Sequence, residues 1–218
     1  MNRRSVIFSA SALALAAGAG VTFMLGGPSP VGAAFAQDEE VDTSRVIEMS
    51  MGNPDAPVTV IEYASFTCPH CRSFHEGAFK QLKTDYIDTG RIHFIYREVY
   101  FDRFGLWASM VARCGGEMRF FGIADMLYEQ QQEWIAGSDP TLISENLRRI
   151  GRTAGMDDAT LDACMQDETQ AQTLVAWFQE NATRDGVEAT PTLFIDGVKH
   201  SNMAYGELSA LIEAALAE

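Results

Sequence analysis

Apolar residues along this chain recur with two different periods. Val58-Thr59-Val60-Ile61-Glu62-Tyr63 is β-branched and almost continuously apolar, the pattern of a strand buried on both faces. A helical period follows, with Phe74, Ala78, Leu82 and Tyr86 or Ile87 on one side and Thr89-Gly90 as its stop. Ile92-His93-Phe94-Ile95-Tyr96 reads as a second strand. A short strand is expected over residues 45–51, ahead of the turn Asn53-Pro54-Asp55-Ala56-Pro57. From about residue 102 to 186 only helical spacing occurs. Leu106, Met110 and Cys114 mark one segment, and Phe120, Ala124 and Leu127 a second. Leu142, Leu147 and Ile150 mark a third, with two more over 161–165 and 174–178. Gly115-Gly116, Gly137-Ser138-Asp139-Pro140 and Gly155 punctuate them. Strands return at Thr192-Leu193-Phe194-Ile195 and Val198-Lys199-His200. Asp196-Gly197 between them suits a two-residue type I′ hairpin. A last amphipathic helix spans Tyr205–Leu216, with Leu208, Leu211, Ile212 and Ala215 inward. The order is β–α–β, a helical insertion, then β–β–α, an α/β fold.

The N-terminus carries a different signal. Arg3 and Arg4 are followed by no charged residue until Asp38, and residues 6–25 are apolar and rich in small side chains. Ala34-Phe35-Ala36 offers a small-x-small cleavage site, so residues 1–36 are expected to be a signal peptide. An uncleaved anchor is the alternative, since about 20 apolar residues span a bilayer; the many Ala and Gly residues weaken it. The Arg3-Arg4 pair leaves the twin-arginine route open. Residues 37–44 then read as an acidic linker. Residues 45–101 and 187–218 form the two parts of one α/β domain, and 102–186 an inserted helical domain. The folded part is expected outside the cytoplasm, where disulfides persist. Sixteen basic against thirty acidic residues give a net charge of −14, which argues against nucleic acid as a partner and for solubility.

Candidate chemistry centres on Cys68-Pro69-His70-Cys71. Two cysteines on the first turn of a helix close a small disulfide, and the first sits beside unsatisfied N–H groups at the positive end of the macrodipole. That setting stabilises its thiolate, and a stabilised reduced form makes the disulfide a stronger oxidant. Pro69 fits the first helical position. His70 adds a donor and, when protonated, a positive charge near Cys68. Cys68 is expected to be the exposed, attacked sulfur and Cys71 the buried resolving thiol. Zinc is disfavoured because no second C-x-x-C or paired histidines complete a tetrahedral set, although Cys114 and Cys164 remain as conceivable ligands. No metal or cofactor is expected. A purely structural Cys68–Cys71 bridge is disfavoured by its position between strand and helix. Cys114 and Cys164 fall in helices of the insertion, and a structural disulfide between them is favoured over free thiols or a second redox pair. Glu62 is the one acid in its apolar strand. It is either a buried carboxyl that passes protons to or from Cys71, or a strand-end residue that is solvated or paired with Arg97. Met110, Met118 and Met126 fall where an adaptable substrate groove could form, but are read as core, and His75, His93 and His200 as incidental.

The stretch from Val58 through Thr67 into Cys-Pro-His-Cys resembles the DsbA family of bacterial periplasmic thiol oxidases. Ala189-Thr190-Pro191-Thr192-Leu193-Phe194-Ile195-Asp196-Gly197 is similar to that family's cis-proline loop. The resemblance covers roughly residues 45–218. It implies a thioredoxin-like fold with an inserted helical domain, Cys68 as nucleophile with Cys71 as partner, and Pro191 as a cis-proline facing them. Thr190 would then offer backbone groups to an extended substrate strand. Reduced exported proteins are the implied substrates, a DsbB-like membrane protein the implied oxidant, and the periplasm the implied compartment. A Thr at 190, which occurs in some isomerases of the family, keeps isomerase or reductase activity in play. A non-catalytic binding or assembly factor is the reading from a different class. No segment is left over for the dimerisation domain that isomerases of this fold use, so a monomer is expected.

Overall fold

The computed structural model describes residues 41–218, so the expected signal peptide over 1–36 lies outside the described residues. The sheet is organised around β2 (Val58–Ala64), whose two faces are both covered. It runs parallel to β3 (Ile92–Glu98), with Val58 opposite Ile92 and Ala64 opposite Glu98. It runs antiparallel to β4 (Thr192–Ile195), with Tyr63 opposite Thr192. β1 (Met49–Gly52) flanks β3 and β5 (Val198–Ser201) flanks β4, giving the order β1-β3-β2-β4-β5. β1 is shorter than the pattern predicts. Residues 43–46 close a turn, and the backbone O of Ile47 is taken by Arg113 rather than by a neighbouring strand. The β4–β5 hairpin turns through Asp196 (φ 46°) and Gly197 (φ 82°), the two positive values a type I′ turn requires.

A parallel β2–β3 pair needs a crossover. α1 (Pro69–Glu76), α2 (Ala78–Leu82) and a π-helical turn at Lys83–Ile87 supply it. The sequence predicts one helix here, but the backbone leaves the helical region at Gly77 (φ −118°, ψ −91°) and restarts. Between β3 and β4 lie α3 (Arg103–Cys114), α4 (Glu117–Glu129), α5 (Gln131–Trp134), α6 (Pro140–Thr153), α7 (Asp158–Met165) and α8 (Glu168–Arg184). Aspartates 102, 139, 157 and 167 cap four of these helices through their side chains, each satisfying otherwise orphaned N–H groups. α5, at four residues, is too short to leave a period in the sequence. The chain closes with α9 (Tyr205–Leu216).

The inserted helices are not packed apart from the sheet. Phe94 and Tyr96 of β3 share one core with Phe120, Ile123, Leu127 and Tyr128 of α4 and with Leu147 and Ile150 of α6. Of the three methionines read as core, Met110 is buried and Met126 half-buried. Met118 is 99% exposed, because it stands on the outer side of the first turn of α4.

Candidate active site

β2 delivers the chain into a tight turn that ends on Cys68, the N-cap of α1. The backbone N–H of Cys71 points at Cys68 Sγ from 3.5 Å, and Pro69 fills the first helical position, where no N–H is needed. Both cysteines are free thiols in this structure. Cys71 has no exposed surface, and Cys68 keeps only 8%, so the sulfur expected to be exposed shows solvent just a narrow window. The covering comes from the antiparallel pairing of β4 with β2, which sets the start of β4 beside the end of β2. That places the Thr190–Pro191 peptide, which is cis, against the motif, with Thr190 O 3.5 Å from Cys68 Sγ.

The two thiols are driven in opposite directions. The Cys71 thiol aimed at Cys68 outweighs burial there; Thr190 and the backbone N–H groups of Cys71 and His70 add to it, and Cys68 is held down to about 5. Burial pushes the Cys71 thiol far up, and Cys68 and the charge of Glu62 push it further. The His70 ring is exposed and makes no hydrogen bond to Cys68 among the described residues, so its contribution comes from the backbone. A dithiol with one acidic and one strongly basic sulfur can exchange disulfides through the acidic one.

Comparison with known proteins gives the same answer. The family model described as Thioredoxin matches residues 44–214. A Rickettsia bellii protein named for protein-disulfide oxidoreductase activity is 33% identical over 189 residues, covering 84% of this chain and 72% of its own length. The crystal structure of Wolbachia pipientis α-DsbA1 superposes with a TM-score of 0.71 at 27% identity, covering 78% of this chain and 91% of that one. The chain belongs to the thioredoxin family, among the DsbA-like thiol:disulfide oxidoreductases. Disulfide bond formation protein D of Bacillus subtilis is 28% identical over 177 residues, covering 76% of each chain. Further rickettsial relatives are longer, and the chain spans 61 to 62% of them.

In this DsbA-like frame Glu62 lies in mid-strand with no exposed surface. It is not paired with Arg97. In the parallel register Glu62 stands opposite Tyr96 and Tyr63 opposite Arg97, so the two side chains project to opposite faces of the sheet. Arg97 binds Glu48, Tyr63 and Asp185 instead. The partner of Glu62 is His75, whose Nε2 lies 3.0 Å from Oε2, and this histidine is buried rather than incidental. A signal for it existed in the sequence. His75 sits four residues after Cys71, on the same face of α1, and a carboxyl inside an apolar strand needs a partner.

Two further groups escaped the sequence pattern. Gln131 of α5 is buried and donates from Nε2 to Phe66 O (2.8 Å) and Cys68 O (3.0 Å), holding the active-site turn from the helical side. Asp102 caps α3 with one oxygen and accepts from Thr67 Oγ1 with the other at 2.8 Å. Cys114 and Cys164 are joined by a disulfide between α3 and α7, so neither thiol is free to join a metal set with Cys68 and Cys71.

Proposed function

We propose that this thiol:disulfide oxidoreductase is a dithiol oxidase, which donates its Cys68–Cys71 disulfide to reduced exported proteins. A substrate thiolate attacks Cys68, the Cys68–Cys71 bond breaks, and Cys71 takes up a proton as it leaves. The second thiolate of the substrate then attacks its own sulfur in the mixed disulfide, and Cys68 is released as the thiolate. The observation that carries this reading is the placement of Cys68 Sγ at the N-cap of α1, with N–H groups aimed at it and its thiol held to about 5. Stabilising the thiolate stabilises the reduced enzyme over the bridged one, which is what makes a disulfide oxidising. Thr190 and Pro191 border the window over Cys68 and would pair with an extended substrate strand, as in β-strand addition. Export to the periplasm, a monomeric state and reoxidation by a DsbB-like membrane protein complete the reading. Among the described residues no helix is long and apolar enough to cross a membrane.

Equilibration of the couple against glutathione tests it. The oxidase reading expects a potential more oxidising than about −200 mV, whereas a value near the roughly −270 mV of a reducing thioredoxin sinks it. A Cys68→Ala enzyme is expected to lose turnover of a dithiol peptide altogether; a binding factor with a structural bridge would keep its function.

A further inference from the structure

The two sulfurs of the exchange have different needs when they leave. Cys68 departs as the thiolate its surroundings favour. Cys71 departs into a site with no exposed surface, where burial opposes its ionisation. It needs a proton that solvent cannot hand over directly. Glu62 is the acid near it, and Glu62 is sealed as well. One carboxyl oxygen lies on His75 and the other, Oε1, is buried with no hydrogen-bond partner among the described residues. A proton given up by Glu62 therefore has to be replaced through His75.

The histidine is built to hold one orientation. Its ring stacks on Tyr128 at 4.1 Å and against Phe79 at 4.3 Å, with Tyr96 at 5.8 Å approaching edge-on. The hydroxyls of Tyr96 and Tyr128 share one hydrogen bond of 2.6 Å, one donating and the other accepting. Nε2 faces Glu62, while Nδ1 is buried without a hydrogen-bond partner among the described residues. Together with Tyr128, His75 lines a narrow crevice between α1, α2 and α4, and its other walls are Glu76, Lys80, Asp125 and Glu129. Those four are all exposed, so the crevice joins the inner ring to a charged, wet rim.

We infer that His75 carries protons between solvent and Glu62 during exchange: Glu62 protonates the departing Cys71 sulfur, His75 Nε2–H reprotonates Glu62, and water in the crevice protonates Nδ1. One proton enters from solvent and one ends on Cys71. The ring finishes as the other neutral tautomer, and reoxidation runs the route backwards and resets it. The inference rests on the oxidase reading for its direction only.

Its test uses a small reductant. Full-length oxidised enzyme is reduced with dithiothreitol over about pH 5 to 9 in H2O and D2O, and acid-quenched alkylation counts released Cys71 thiols. Taking the ratio of wild-type to variant rates cancels the ionisation of dithiothreitol. For His75→Gln that ratio is expected to reach about tenfold or more and to vary with pH, with a smaller solvent isotope effect in the variant. The melting temperature and the Cys68 titration are expected to stay at wild-type values. A folded His75→Gln enzyme with wild-type rates, pH profile and isotope effect overturns the inference. If that variant does not fold, the wild-type enzyme decides: Cys71 release with no solvent isotope effect overturns it, and a clear effect supports it. Because dithiothreitol stands in for the natural substrate, a redox potential that refuted the oxidase reading would leave this measurement intact.

Discussion

Two cysteines separated by two residues differ here more than their sequence neighbourhood suggests. Cys68 gains a thiol, the Thr190 side chain and two N–H groups; Cys71, one turn further, is pushed up first by burial, then by Cys68 and the charge of Glu62. The difference has a consequence for stability. A Cys68 thiol held at about 5 in the folded, reduced enzyme ionises near its ordinary value of 9 when unfolded. The unfolded chain thus binds more protons between these values, so the stabilisation is complete above about pH 9 and is lost as the pH falls through about 5. The oxidised enzyme has no such titration. The melting temperature of the reduced form, measured relative to the oxidised form, is expected to drop as pH goes from 8 to 5. Absorbance of the thiolate should report the same midpoint. A gap that stays constant with pH, or a midpoint near 9, would contradict the assigned surroundings of Cys68.

Elements meet at the active-site turn from three directions: β2 leads into it, the β4 loop covers it, and the inserted helices brace it from behind. Asp102 is the joint between the turn and α3. One of its carboxylate oxygens takes the N–H groups of Phe104 and Gly105 at 2.8 and 2.9 Å, and the other takes the Thr67 hydroxyl. Asp102→Ala removes a helix cap, worth about 1 kcal/mol, and also frees the turn. Urea denaturation is expected to show a loss of at least about that size, together with a lower rate of disulfide exchange. Loss of stability with an unchanged exchange rate would mean that the cap matters to α3 alone. The second brace, Gln131, sits on a helix of four residues that no periodicity announces. Its donor reaches the Phe66 carbonyl in the turn, which hydrogen-bond accounting rather than pattern left in need of a partner, and shares the Cys68 carbonyl with the Arg72 N–H of α1.

At the scale of the whole molecule, the insertion is held both by its shared core with the sheet and by the Cys114–Cys164 bond, which closes a loop across 50 residues. In the chain-entropy view a loop of that size is worth on the order of 4 kcal/mol. A Cys114→Ala/Cys164→Ala enzyme is expected to lose about 2 to 5 kcal/mol in denaturant unfolding, and to keep its Cys68–Cys71 chemistry. Loss of thiol exchange in a variant that remains folded would show that this bond does more than hold α3 to α7.

The sequence by itself determined the order of the longer elements and the redox motif, because both are written locally. Alternating periods, Gly and Pro punctuation, and a C-x-x-C between strand and helix each act over a few residues. The Asp196-Gly197 turn is the clearest case, since its two positive φ values are a property of the dipeptide. Tertiary structure alone decided which groups surround the two sulfurs. On paper the one partner named for Glu62 was Arg97; the parallel register of β2 and β3 rules it out by sending the carboxyl and the guanidinium to opposite faces, and the packing of α1 supplies His75 instead. The near-closure of Cys68 and the clamp of Gln131 likewise join residues 122 and 63 positions apart. Such contacts depend on how sheets and helices are stacked, and no local pattern of apolar and polar residues encodes a distance across the core.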